Sequence, residues 1–367
     1  MSKGDFLSSR QLLYELVRIA SVSTHEREIS LFVEERLEEL HMDVTRYGNN
    51  LVAALGRGQP TLMLCGHLDT VPPYFPPSIH GRKLFGRGAA DDKGGLAAII
   101  DAIARTSKSK LNGTLMVAFV VDEELQSRGA REVIPHIDAS FGVVCEPTNL
   151  AIINGHKGRL TLRVTTLGRS AHASRPKLGK NAIVEMAHLL AHLEGLKLPK
   201  HPILGSETLT ASSITSHSAP NVIPDRCTIG IDYRYVPPND AYSVLKALQS
   251  QLPDALIELA DDSAHFSRPF YLPEHAIIDL LKASVQDCGL IPVITTMDAS
   301  TDAARFNEAG VPTVVFGPGG IDQAHTRDEW IDLDELECAA AVFCDLIRRV
   351  LIEKDASTGK KQDQAFL

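Results

Sequence analysis

What the sequence lacks narrows the field first. None of its six cysteines (Cys65, Cys145, Cys227, Cys288, Cys338 and Cys344) forms a Cys-x-x-Cys pair, so a thiolate zinc knuckle is excluded. A chain of 367 residues needs no disulfide scaffold, and the cysteines read as reduced, mostly buried thiols. No apolar run approaches the roughly 20 residues that span a bilayer. Met1–Arg18 has no uncharged apolar core of signal-peptide length, so a cytoplasmic location is expected. Basic residues are in deficit, 37 against 46 acidic ones. The resulting net charge of −9 argues against nucleic acid or an anionic membrane as the main partner. There is no internal repeat.

What is present is a globular composition, 44% hydrophobic and 23% charged, at a length that suits two domains. The chain is organised around Leu62–Pro72. Its apolar run reads as a buried strand that ends at Gly66, followed by His67 and Asp69. In extended chain that spacing puts both side chains on one face. A carboxylate beside an imidazole can fix its tautomer and aim the free nitrogen at a metal.

In chain order, Leu12, Leu13, Leu16 and Val17 predict an amphipathic helix, and Ser23 with Glu26 predicts a capping box for a second. Short strands are expected at 44–46 and 51–55. The glycines of Gly86–Gly95 allow a sharp turn, but Gly86-x-Gly88 lacks a following x-x-Gly and puts two acids where phosphate would sit. A cation suits this loop better. Apolar runs at Thr114–Val121 and Phe141–Cys145 stop at Asp122–Glu123–Glu124 and at Glu146–Pro147–Thr148.

From Arg159 the texture becomes β–α–β–β–α–β over roughly 105 residues, the ferredoxin-like order. After about Ser267 the α/β alternation resumes, ending in a helix at 333–352 and a polar tail. The fold class is therefore α/β, interrupted by an inserted α+β domain. The expected boundaries are 1–158 and 268–353 for the first domain, 159–267 for the insertion and 354–367 for a disordered tail.

The acids and histidines at the ends of these runs are His67, Asp91, Glu123, Glu124, Glu146 and His325. The carboxyl rim of an open α/β sheet is where ligands bind. Oxygen and imidazole donors without thiolate suit zinc, cobalt or manganese. Two histidines and even three of these four carboxylates exceed one tetrahedral zinc. They fit two metals, each with one His and one terminal carboxylate, sharing a bridging carboxylate.

Five motifs in combination, Gly66–Pro72, Gly86–Asp91, Asp122–Glu124, Glu146–Thr148 and Ala324–His325, make the chain resemble the dinuclear-zinc M20 metallopeptidase family over about residues 8–353. The resemblance implies a three-layer αβα zinc-hydrolase domain with the inserted ferredoxin-like domain as lid and dimerisation domain. It implies two Zn2+ per subunit, with Co2+ or Mn2+ as substitutes. His67 and Glu146 would hold one, Glu124 and His325 the other, and Asp91 would bridge them. Asp69 would orient His67, and Glu123 would be the general base. The Asp91–Asp92 peptide is expected to be cis. His172, in Gly-x-x-Ala-His form, would reach the active site from the partner subunit of a homodimer formed through 159–267 and support the oxyanion.

Asp92 departs from the family's usual Met and would add a charge near the metals. Within the family, Gly317–His325 and Glu308–Thr313 look most like the acetylornithine deacetylase branch. Asn221 and Arg234 match lid segments that bind a substrate carboxylate, with Thr301 as a weaker contact. The expected reaction is removal of an acyl group from an N-acyl amino acid, with N2-acetylornithine leading. N-acetylcitrulline, N-acyl-lysine, N-succinyl-diaminopimelate, a dipeptide and binding without turnover remain open.

Overall fold

Strand Thr61–His67 is apolar on both sides of its pleat, and every residue in it is buried. Alternation is lost in this way when a strand lies inside a parallel region covered on both faces. The protein is described by a computed structural model for residues 6–260 and 267–352.

The chain opens with α1 (Ser9–Arg18), whose capping box is made by Ser8 and Gln11. Next comes α2 (Arg27–Glu39), where the capping box expected from Ser23 and Glu26 does not form. Glu26 is the cap residue, but its carboxylate accepts the Thr24 N–H at 2.6 Å, and Ser23 donates its hydroxyl to Asp69 at 2.8 Å. Strands β1 (Asp43–Tyr47), β2 (Asn50–Arg57) and β3 (Thr61–His67) follow. The short β4 (Ser78–His80) and β5 (Lys83–Phe85) precede α3 (Lys93–Thr106), β6 (Gly113–Val120), α4 (Arg128–Val133), β7 (Phe141–Val144) and β8 (Ile152–His156). Then come β9 (Gly158–Leu167), α5 (Ala182–Glu194), β10 (Lys200–His201), β11 (Gly205–Ser206), β12 (Thr208–Thr215), β13 (Arg226–Tyr235), α6 (Ala241–Gln251) and β14 (Ala255–Leu259). The last elements are β15 (Phe270–Tyr271), α7 (Ala276–Asp287), β16 (Ile294–Met297), α8 (Ala303–Glu308), β17 (Thr313–Val315), β18 (Trp330–Asp332) and α9 (Leu333–Leu351). The expected tail from 354 lies outside the described residues.

Two compact units result. One holds the residues up to Asn154, Tyr271–Thr295 and those from Thr301 on; the other holds Gly155–Phe270 and Thr296–Ser300. Each has its own apolar core. In the first, the sheet order is β1-β2-β6-β3-β7-β17-β8-β15, with β16 paired to β8. Strand β3 runs parallel to β6 and β7, and β17 runs parallel to β7. Helices α1, α3, α7 and α9 pack on one another, whereas α2 and α4 pack on β1, β2 and β6. The second unit is an antiparallel sheet, β12-β13-β9-β14, with α5 against β9 and β13 and α6 against β14. That is the βαββαβ order read from the sequence. No helix among the described residues is long and apolar enough to cross a membrane.

The glycines beside the rim are there for space. A Cβ on Gly95 would lie 2.1 Å from Asp92 Oδ1 and 2.3 Å from Cys145 Sγ, and one on Gly66 would lie 2.6 Å from Asp92 Oδ2. Gly95→Ala is therefore expected to destabilise the protein by about 1–3 kcal/mol, the range for overpacking a full site. A urea titration should show a lower midpoint at unchanged slope.

Candidate metal centre

The carboxyl ends of the parallel strands supply the site. His67 is the last residue of β3 and pairs in register with Val120 of β6, whose continuation is Asp122–Glu124. Cys65 pairs with Val144 at the end of β7, so Glu146 lies just beyond that strand. Asp91 arrives from the glycine-rich loop before α3, and His325 from the loop after β17. The structure brings these residues together. His67 Nε2 is 3.0 Å from Asp91 Oδ1. His325 Nε2 is 3.2 Å from Asp91 Oδ2 and 2.9 Å from Glu124 Oε1. His67, Asp91 and Glu124 offer donor atoms that all lie within 4.8 Å of one another, and so do His67, Glu123 and Glu146. The Asp91–Asp92 peptide is cis.

This donor set fits metal ions. It is made of imidazole nitrogens and carboxylate oxygens, and Glu146 Oε1 is buried with no hydrogen-bond partner among the described residues. A buried carboxylate oxygen without a partner is costly unless a cation or donor satisfies it.

Asp69 approaches His67 Nδ1 with both its carboxylate and its backbone carbonyl. Its carboxylate is 3.6 Å from His67 Nδ1, too far for a hydrogen bond. Nδ1 instead lies 3.0 Å from the backbone carbonyl of Asp69, which leaves Nε2 turned to Asp91. The carboxylate accepts the N–H of Glu123 at 3.0 Å, the N–H of Glu124 at 3.2 Å and the hydroxyl of Ser23. It therefore shapes the turn that presents both acids. Arg128 grips Asp122 through two nitrogens at 3.0 and 3.1 Å and secures the same turn.

The charges crowd one another. Burial alone would lower the His67 pKa, but Asp69 and Asp91 outweigh it and hold the imidazole well above its ordinary value. Hydrogen bonds to Asp91 and Glu124 raise His325 to about 10. Burial would raise Asp91, but hydrogen bonds from His325 and His67 keep it below the usual carboxylate range. Burial pushes Glu123 and Glu146 well up, helped by neighbouring carboxylates. Asp92 is also buried, and its pKa is pushed well up by that burial and by Asp91, against the pull of His67. It thus favours the neutral acid rather than a further charge.

In the metal-free protein the neighbouring carboxylates favour the protonated form of both imidazoles, with His325 held at about 10. Ligation requires neutral imidazole. Ligation is therefore expected to release protons at pH 7, that of His325 among them. Calorimetry in buffers of different ionisation enthalpy counts them, and release of none would contradict the assignment of His67 and His325.

The remaining candidates sit as follows. Thr301 is buried, and its hydroxyl accepts the Ala303 N–H at 3.2 Å at the start of α8. Within the second unit, His172 is exposed on a loop. Its Nδ1 accepts from Ser174, at 3.2 Å from the N–H and 2.8 Å from the hydroxyl. In the neutral ring Nε2 is then the outward donor. The Ala173 N–H donates to Asn221 O at 2.9 Å, so the His172 and Asn221 segments adjoin. Arg234 makes two hydrogen bonds to Asp232, at 2.6 and 3.1 Å. Its guanidinium is thus engaged within its own strand, not presented as a free fork. Sequence reasoning missed Ser23, Arg87 and Glu329, which act through hydrogen bonds to distant segments.

Comparison with known proteins gives the same frame. The family profile described as peptidase family M20/M25/M40 matches residues 63–349. The chain belongs to this family. An acetylornithine deacetylase of Proteus mirabilis is 31% identical over 339 residues, covering 85% of each chain. One from Photorhabdus laumondii is 33% identical over 325 residues, covering 81% of this chain and 82% of the relative. Among solved structures, a Staphylococcus aureus tripeptidase superposes with a TM-score of 0.80 at 23% identity, covering 93% of this chain and 97% of that one. An M20 metallo-carboxypeptidase from Sulfolobus solfataricus gives 0.77 at 18%, covering 94% and 99%. The M20 match makes the chain a hydrolase and spans all six rim residues, from His67 to His325.

Proposed function

We propose that this M20 hydrolase removes the acyl group from an N-acylated amino acid, with N2-acetylornithine as the leading substrate, giving ornithine and acetate. The observation that carries the reading is the convergence of two imidazoles and four carboxylates at one strand rim, with Glu146 Oε1 unpartnered among the described residues. The curated relatives named acetylornithine deacetylase support the choice of substrate. His67 and Glu146 are assigned to one Zn2+, Glu124 and His325 to a second, and Asp91 to both; Co2+ or Mn2+ would substitute. Bound metal lowers the pKa of water and polarises the amide carbonyl.

The protein's own residues do the rest. Glu123, raised in pKa by its surroundings, accepts a proton from the attacking water and returns it to the leaving nitrogen. Asp69 and Ser23 fix the turn from which Glu123 works. On the second unit, His172 is assigned to the oxyanion and Asn221 to the substrate carboxylate; Arg234 joins it only by exchanging its bond to Asp232. A homodimer through 159–267, with His172 of the partner subunit as donor, and a cytoplasmic location belong to the same proposal. The exposed edge strand β12 and exposed Ile183 and Val184 on α5 support self-association.

The test is turnover by metal-loaded protein on N-acetylornithine, N-acetylcitrulline, N-acetyl-lysine, N-succinyl-diaminopimelate and a dipeptide. The highest kcat/KM is expected on N-acetylornithine. A clear preference for the dipeptide would replace the deacylase reading with a peptidase one.

A further inference from the structure

Glu329 is wholly buried, four residues beyond His325. Its carboxylate does not point at the candidate metal donors. Oε1 accepts the backbone N–H groups of Ala90 at 3.0 Å and of Asp91 at 3.1 Å. Oε2 accepts from Arg87 Nη1 at 2.6 Å. The Glu329 backbone carbonyl takes the Gly86 N–H at 3.0 Å. The loop that delivers Asp91 is thus held at both ends by a single residue. Arg87 is itself 2% exposed, donates to Pro73 O at 3.2 Å and lies over the Phe75 ring. Burying two charges in this way is expensive and adds little net stability compared with a packed apolar pair. What the pair does is geometric: one side-chain oxygen accepts two adjacent amides at once.

The segment that carries His325 therefore also fixes the backbone of Asp91, whose carboxylate meets both His67 and His325. We infer that Glu329 is a positioning residue for the metal centre: it clamps the Ala90–Asp91 backbone so that the Asp91 carboxylate is preset between the two histidines, and Arg87 neutralises the buried clamp. This rests on the assignment of Asp91 as a metal ligand. The Ala90 and Asp91 amides are where the Glu329 carboxylate meets the ligand's own backbone, so the variants that matter separate amide acceptance from charge.

Arg87→Met/Glu329→Leu removes both charges and the acceptor. Arg87→Met/Glu329→Gln removes both charges and keeps an oxygen for the two amides. Each is compared with wild type as metal-free protein titrated with Co2+, with thermal melting as the check on folding. Both pairs are expected to fold. The Gln pair should bind Co2+ within about threefold of wild type, whereas the Leu pair should bind about 10–100-fold more weakly, the usual cost of losing a residue that supports a ligand. Equal affinity in the Leu pair and wild type would overturn the inference, as would equal losses in both pairs. If either pair fails to fold, Glu329→Asp alone decides, since it keeps the charge opposite Arg87 but draws the acceptor back from the two amides: cobalt binding weaker by about tenfold or more supports the clamp, and affinity within about threefold of wild type overturns it. Failure of wild type to bind Co2+ would overturn the metal assignment itself, and the clamp with it.

Discussion

Glu123→Gln is expected to keep its metals and to lose kcat by roughly 10^2–10^4-fold, the usual contribution of a positioned general base. The substitution keeps the size of the side chain and leaves the N–H that Asp69 accepts, so the turn stays in place. It removes only the basic oxygen. The raised pKa of Glu123 comes from burial and from Asp302, Glu124 and Asp91 around it, against the pull of His67. A base tuned upward in this way suits proton transfer near neutral pH better than an ordinary carboxylate does. Its donor atoms also lie in the cluster with His67 and Glu146, so metal content must be measured alongside rate. Turnover at the wild-type rate would remove Glu123 from the chemistry. Loss of a metal would make it a ligand instead.

The second large effect is expected at Asp91. It is the carboxylate that both histidines reach, at 3.0 and 3.2 Å. Asp91→Ala should cost at least one metal and, with it, several kcal/mol of transition-state stabilisation, on the order of 10^3-fold or more in rate. The variant should remain folded, because the bonds from Glu329 are to backbone amides that alanine retains. Metal analysis after dialysis, with a melting curve for the fold, checks both halves. Two metals retained at full activity would show that Asp91 is not the shared ligand.

The candidate ligands at the rim are legible because each follows an apolar run or a glycine turn. Strand ends in a parallel sheet share one edge, so His67, Glu124 and Glu146 converge once their strands pair. The second unit was legible because its strands and helices are long enough to show their period. What escaped was of two kinds. Strands β4, β5 and β18 have three residues each, too few for any periodicity to register. Ser23 was read as a helix cap from its spacing to Glu26, but its partner is Asp69, 46 positions away. Glu329 gave no signal for a similar reason: its partners are the N–H groups of Ala90 and Asp91, which every residue but proline carries. The place of Asp69 beside His67 is legible from the His-x-Asp spacing, whereas its bonds to the amides of Glu123 and Glu124 are not. Local sequence shows which residues can do chemistry at a strand end. It does not show which of them hold the others still.

The measurement that tests the central claim most directly is titration of metal-free protein with Zn2+ or Co2+, following bound metal and hydrolysis of N-acetylornithine in the same samples. Two equivalents per chain are expected, with turnover reaching its maximum as the second binds. Saturation at one equivalent with full activity, or hydrolysis before any metal is added, would contradict a centre in which Asp91 serves two ions.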